Sequence, residues 1–247
     1  MLSYKIHKSQ LVYTNLTSYV AVLDGDGDLH TACADMKVLS VVETPPRAII
    51  QTADALVLDG NPPLEIMRQA AIDTSEAGKK VFLDPTSVPK AAVIAEDDVL
   101  MSCISMAFPN SDELKAMAQE ESSPQNDFDL EELKRIAAIV LERLNPVEAH
   151  LVVTMGGNGV LLGSKQQNVP LPSFRHFPIR EEVLIENATG AGDTFCGAFI
   201  HAVLTGSSIE EAVKVGMDVA CHSLASSKTI CDKISHQMIP TSSATSQ

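Results

Sequence analysis

Apolar and polar positions along the chain change period at Pro45-Pro46. Before it, Ser18-Tyr-Val-Ala-Val-Leu23 and Leu29 to Ala34 read as strands, and the turn Asp24-Gly-Asp-Gly-Asp28 joins them into a hairpin. After it, short apolar runs alternate with helical stretches. Ala55 to Asp59, Lys80 to Asp84, Val99 to Met106, His150 to Thr154 and Gly159 to Leu162 read as strands. Pro63 to Glu76 reads as a helix with Gly78 just past its end. Ser111 to Glu120 reads as a second helix, capped near Asn110 or Ser111, and Leu130 to Leu144 as a third, amphipathic one. Ser122 to Asp127 is a polar loop, and the Ser/Thr-rich tail from Pro240 is expected to fray.

Strands that are apolar throughout and alternate with helices predict an α/β fold with a parallel sheet covered on both faces. Ligands bind such sheets beyond the carboxyl ends of the strands. That rule singles out Asp59, Asp84, Asn110 and Thr154.

Composition narrows the function classes. The 247 residues carry a net charge of −14, which repels nucleic acid and anionic membrane surfaces. An anionic ligand would need local relief from a helix N-terminus or a metal ion. The five cysteines show no metal-like spacing and read as mostly buried free thiols in a reducing compartment. The segment Met1 to Gln10 is polar, with no apolar signal region, and no run is long enough to span a bilayer, so the expected location is cytoplasmic. The Asp-Gly run at 24–28 lacks the later glutamate of a calcium loop.

The strongest chemical signal is Thr189-Gly190-Ala191-Gly192-Asp193, which opens a further helix. Glycines before a helix let backbone amides crowd around an anion. Asp193, in the first turn, would stand where it can take the proton of an attacking hydroxyl. The plainer reading is a glycine turn with an acidic cap. Two other segments weigh against it. Asn110-Ser-Asp-Glu113 places an amide and a carboxylate on one helix turn, suited to a hydrated divalent cation or equally to a capping box. Thr154-Met-Gly156-Gly-Asn-Gly159 is a tight turn between strands that can also lie against a ligand.

With these motifs in this order, the chain resembles the ribokinase, or pfkB, family of sugar and nucleoside kinases from about Thr14 to Ile239. The family signature D-T-x-G-A-G-D is matched at Gly190 to Asp193, with Asn187 and Ala188 in place of its first two residues. The resemblance implies a three-layer α/β/α Rossmann-like ribokinase fold with a small β lid. It implies Asp193 as catalytic base, with Gly190, Ala191 and Gly192 as the anion hole. It also implies ATP as co-substrate along Asn110, Thr154, Gly156, Gly159 and Gly192, with Mg²⁺ ordered by Asn110 and Glu113. Asn187 stands where an aspartate commonly helps bind a monovalent cation, so that cation is not carried over. Met217 replaces an asparagine frequent near the adenine. Leu58-Asp-Gly-Asn61 and Asp84-Pro-Thr-Ser-Val-Pro-Lys90 resemble strand ends of the pseudouridine kinase branch. They make Asp59 and Asp84 the expected substrate contacts and pseudouridine the expected acceptor.

The family's first core strands have no counterpart before Ser18. The expected organisation is a remnant with a β-hairpin lid (1–46), a ribokinase-like core (47–239) and a tail (240–247). An open sheet edge would be covered by a homodimer or by a missing N-terminal segment. The alternative to an active kinase is a catalytically inactive nucleotide-binding or interaction module.

Overall fold

A computed structural model describes residues 18–23, 29–120, 128–179, 185–228, 231, 232 and 234. The Asp-Gly turn at 24–28, the polar loop at 121–127, residues 1–17 and the tail from 240 lie outside them. The chain divides into two compact units, one of residues 43–179 and one of residues 1–42 with 180–247.

The unit of residues 43–179 holds a six-stranded mixed sheet in the order β3-β4-β5-β6-β7-β8. Its strands are β3 (Ala55–Asp59), β4 (Lys80–Asp84), β5 (Met106–Ala107), β6 (Glu148–Thr154), β7 (Val160–Gln166) and β8 (Ser173–Phe177). Its helices are α1 (Arg47–Thr52), α2 (Leu64–Glu76), α3 (Val88–Ala95), α4 (Asp98–Cys103), α5 (Ser111–Met117) and α6 (Leu130–Arg143).

The structure departs from the expected pattern in several places. Val99 to Met106 is not a strand. Its first part is α4, because the Asp97 side chain accepts from the Leu100 amide and caps a helix there. Only Met106–Ala107 remain extended, as β5. Nor is the sheet parallel throughout. β3 to β6 run parallel, but β7 and β8 pair antiparallel, since the glycine turn after Thr154 returns the chain directly alongside β6. The second helix is also shorter than expected and ends at Met117.

One face of the sheet carries Leu58, Leu83, Ala107, Leu151, Val153 and Leu161 into a core with α2 to α6. Met67, Ile94, Leu100, Leu114, Ile136 and Val140 supply the helical side of that core. On the other face Phe82, Met106 and His150 are buried, while their row-mate Val57 on β3 is 54% exposed. The expected two-sided cover thus fails at β3, an edge strand in the described sheet.

The other unit contains a β-hairpin and a helix pair. β1 (Ser18–Leu23) and β2 (Leu29–Asp35) pair antiparallel, as the pattern predicts. α7 (Ala191–Leu204) packs on α8 (Ile209–Leu224), with Gly216 receiving the Phe195 ring; a Cβ there would lie 2.8 Å from it. No described helix is long and apolar enough to cross a membrane. Cys103, Cys196 and Cys231 are buried and Cys221 is half-buried.

Candidate functional site

In the helix-pair unit, the loop before α7 is built by three local devices. The Asn187 Oδ1 accepts from the Thr189 amide at 2.9 Å and closes an Asx turn. The amides of Glu186 and Asn187 donate to the Leu224 carbonyl at the end of α8, at 2.8 and 3.2 Å. Gly190, the N-cap, has φ +83, a left-handed conformation that a side chain would strain. The Thr194 hydroxyl reaches the buried Ser223 at 3.3 Å and ties the first turn of α7 to α8.

These ties leave the front of the loop open. Thr194 donates to the Gly190 carbonyl at 2.9 Å, and Ala191 to Ala188 at a longer 3.3 Å. Among the described residues the amides of Gly190, Gly192 and Asp193 have no acceptor. A Cβ at Gly192 would meet nothing within 4 Å. Asp193 is exposed, and among the described residues its carboxylate makes no hydrogen bond or ion pair. A helix N-terminus with acceptor-free amides favours negative charge.

In the sheet unit, four strand ends converge. Asp59 and Asp84 are parallel partners at the ends of β3 and β4. Asn110, which follows β5, bridges Thr154 at the end of β6, and the Thr154 amide donates to Pro109 at 3.0 Å. Asn110 and Glu113 form a full capping box at the start of α5. The Asn110 Oδ1 accepts from Asp112 and Glu113 at 3.0 and 2.9 Å, and Glu113 Oε2 accepts from Asn110 at 2.8 Å. Glu113 is only 6% exposed. Burial pushes its carboxyl above the ordinary range, against the Asn110 amide, and the charges of Asp84 and Asp112 push further upward.

This donor set bears on a divalent cation. The Asn110 oxygen is already shared by two amides. Among the described residues no three His, Cys, Asp or Glu side chains gather as direct metal ligands. The arrangement fits a cation held through its water shell, with the second Glu113 oxygen as acceptor and the buried negative charge as the attraction.

The turn from β6 to β7 closes through Met155 donating to Gly159 at 2.9 Å. Gly156 has φ +54. Gly159 has φ +85, and a Cβ there would lie 2.1 Å from the Phe177 carbonyl. Gly156 and Gly157 face open space, so a ligand can approach their backbone closely.

The sequence reading missed Thr86 and the contact of Lys90 with Asn61. Thr86 holds φ +70, rare for a β-branched residue, and its Oγ1 accepts from the Gly60 amide at 2.8 Å. The Asp-Pro-Thr order after a strand hints at an Asx turn, but nothing local indicates the reach across to Gly60.

The sequence model of the pfkB family carbohydrate kinases matches residues 9–235. The chain belongs to the pfkB family. Its similarity to the ribokinase of Dictyostelium discoideum is 27% identity over 176 residues, 67% of this chain and 53% of that protein. Its similarity to the pseudouridine kinase of Escherichia coli is 28% over 216 residues, 85% of this chain and 62% of that protein. The fold matches that of Arabidopsis thaliana ribokinase, solved with ribose and ATP, at a TM-score of 0.66 and 22% identity, covering 87% of this chain and 65% of that one. The chain thus spans about half the length of curated relatives that it matches, 53% and 49% for two of them. The mixed sheet and its helices are accordingly a ribokinase-type α/β fold.

Proposed function

We propose that this pfkB chain is an ATP-dependent small-molecule kinase that phosphorylates a primary hydroxyl of a ribosyl compound, with pseudouridine as the acceptor. The observation that carries the reading is Asp193, an exposed carboxylate in the first turn of α7 beside the open amides of Gly190 and Gly192. In the proposed reaction the acceptor oxygen forms a bond to the γ-phosphorus of ATP. The bond from that phosphorus to the β,γ-bridging oxygen breaks and ADP leaves. Asp193 accepts the hydroxyl proton. The loop amides, pre-aimed, hold charge on the transferring group without reorganising.

The glycine turn at 156–159 lies along the nucleotide in this reading, and Asp59 and Asp84 bind acceptor hydroxyls. Magnesium, when bound with ATP, neutralises phosphate charge; Asn110 and Glu113 would hold its water shell. Pseudouridine is favoured by the Asp84-to-Lys90 segment and by the long match to the Escherichia coli enzyme. Ribokinase and deoxyribokinase relatives of like identity support the broader acceptor class. The cytoplasm is the proposed location, in keeping with five cysteines that show no disulfide-framework spacing.

The test is phosphorylated product from the purified chain with ATP, Mg²⁺ and pseudouridine, uridine or ribose. Asp193→Ala should lower the rate by roughly 10²–10⁴, the range for a lost general base. Wild-type rates from that variant would remove Asp193 from the role. A folded wild type that binds ATP and yields no product would favour the inactive binding module.

A further inference from the structure

The helix that follows β4 carries a lysine where helix stability disfavours one. Lys90 sits in the first turn of α3, which has no acidic residue, and the N-cap Ser87 makes no side-chain cap bond. A cation there opposes the helix dipole. Its Nζ nevertheless contacts the Asn61 Oδ1, a neutral amide just beyond the end of β3. The backbone on both sides is locked to make that meeting. The Thr86 amide donates to the Asp84 Oδ1 at 2.8 Å, and the Thr86 Oγ1 accepts from Gly60 at 2.8 Å. Gly60 has no room for a side chain, since a Cβ would lie 2.5 Å from the Pro85 carbonyl. Thr86 bears the left-handed φ of +70 within this lock. Strain and a misplaced cation, held together, mark a place selected for something other than stability.

We infer that Asn61 and Lys90 read a ring carbonyl of the acceptor's base, and so favour a nucleoside over a free sugar. The inference rests on the kinase reading above and names its acceptor class. An ammonium has three protons and Asn61 takes one. The Asn61 amide group offers two more donors. Two sets of donors at one spot suit a neutral carbonyl oxygen. The carboxylates of Asp59 and Asp84, at the ends of the same two strands, suit hydroxyl or imide N–H groups and oppose a phosphorylated acceptor. A pyrimidine dione offers carbonyls flanking an N–H; ring-form ribose offers none.

The test is calorimetric titration of the full chain, without nucleotide, with pseudouridine and separately with ribose. Lys90→Met should weaken pseudouridine binding about tenfold or more, as expected for a charged hydrogen bond, and leave ribose within about twofold. Lys90→Arg, which keeps a donor, should recover part of the loss. The unliganded Lys90→Met chain should melt no lower than wild type, because a cation has left the helix N-terminus. Equal loss for both ligands, no loss for either, or a wild type that binds neither would overturn the inference. Binding needs no turnover, so retained discrimination in a chain that makes no product would defeat the kinase reading alone.

Discussion

The loop at Gly190 to Asp193 and the box at Asn110 to Glu113 both start helices, yet they are held in opposite ways. In the box the Asn110 amide, its Oδ1 and the Glu113 Oε2 are all bonded, and the carboxylate is buried at 6% exposure. In the loop three amides lack acceptors among the described residues, and the carboxylate is exposed. Stability alone accounts for the first arrangement, because a capping box satisfies amides that a helix start would orphan. It does not account for the second, which leaves such amides open. The loop is therefore the sharper marker of chemistry, and the box serves the fold whether or not it also holds a cation's water.

Substitutions that separate rate from stability sharpen that contrast. Gly190→Val should have the largest effect after the loss of Asp193. A β-branched side chain at φ +83 costs about 1–2 kcal/mol and displaces the amides. Loss of an aimed donor lowers turnover by roughly 10²–10³. Retained turnover in that variant would break the link between loop shape and chemistry.

Asn110→Ala should cost about 1 kcal/mol in denaturant unfolding, the usual value of an N-cap. In the proposed reaction it should also raise the magnesium concentration needed for half-maximal rate. A stability loss with unchanged magnesium dependence would assign the box to the fold alone.

Glu113→Gln has a predictable pH signature. The folded carboxyl is raised above its ordinary value of 4.5, so its favourable contribution is full below that pH and is lost as pH rises through the folded value. The variant cannot ionise. It should gain stability over wild type above about pH 4.5, with the difference vanishing in acid. Thermal melts from pH 4 to 8 check the sign, and a difference that instead grows in acid would refute it.

The smallest effect is expected at a residue outside both clusters. His150 is buried, its Nδ1 meets the Ser164 hydroxyl at 2.9 Å, and its Nε2 has no hydrogen-bond partner among the described residues. Burial holds its pKa below 6.5, with Glu148 opposing and Lys80 adding to the shift. That contribution is present above pH 6.5 and is lost as pH falls through the lowered value. His150→Phe should flatten this acid loss in melting curves and leave turnover unchanged.

The local shape of the candidate site was more legible in the sequence than the topology. Gly190, Gly192 and Asp193 could be read because a glycine loop, a first-turn acid and a following apolar helix are all local features. The same holds for Asn110 and Glu113, three residues apart. Val99 to Met106 misled because an apolar run of that length suits a strand or a buried helix, and Asp97 decides between them. The reversal at β7 was hidden because the strand is as apolar as its parallel neighbours. Only the Gly156-to-Gly159 turn signals it. The Thr86 to Gly60 tie spans 26 positions, and no periodicity reports a contact of that kind.

In the proposed reaction the exposed acid at the start of α7 performs chemistry and bears no part of the fold. Asp193→Asn keeps size and shape while removing the base. Phosphate transfer from ATP to pseudouridine, measured for this variant and wild type alongside their melting temperatures, tests the claim most directly. The expected result is a rate lower by roughly 10²–10⁴ with melting unchanged within about 2 °C, since an exposed change is worth at most about 0.5 kcal/mol. Undiminished transfer, or a loss of rate matched by a loss of folded protein, would contradict it.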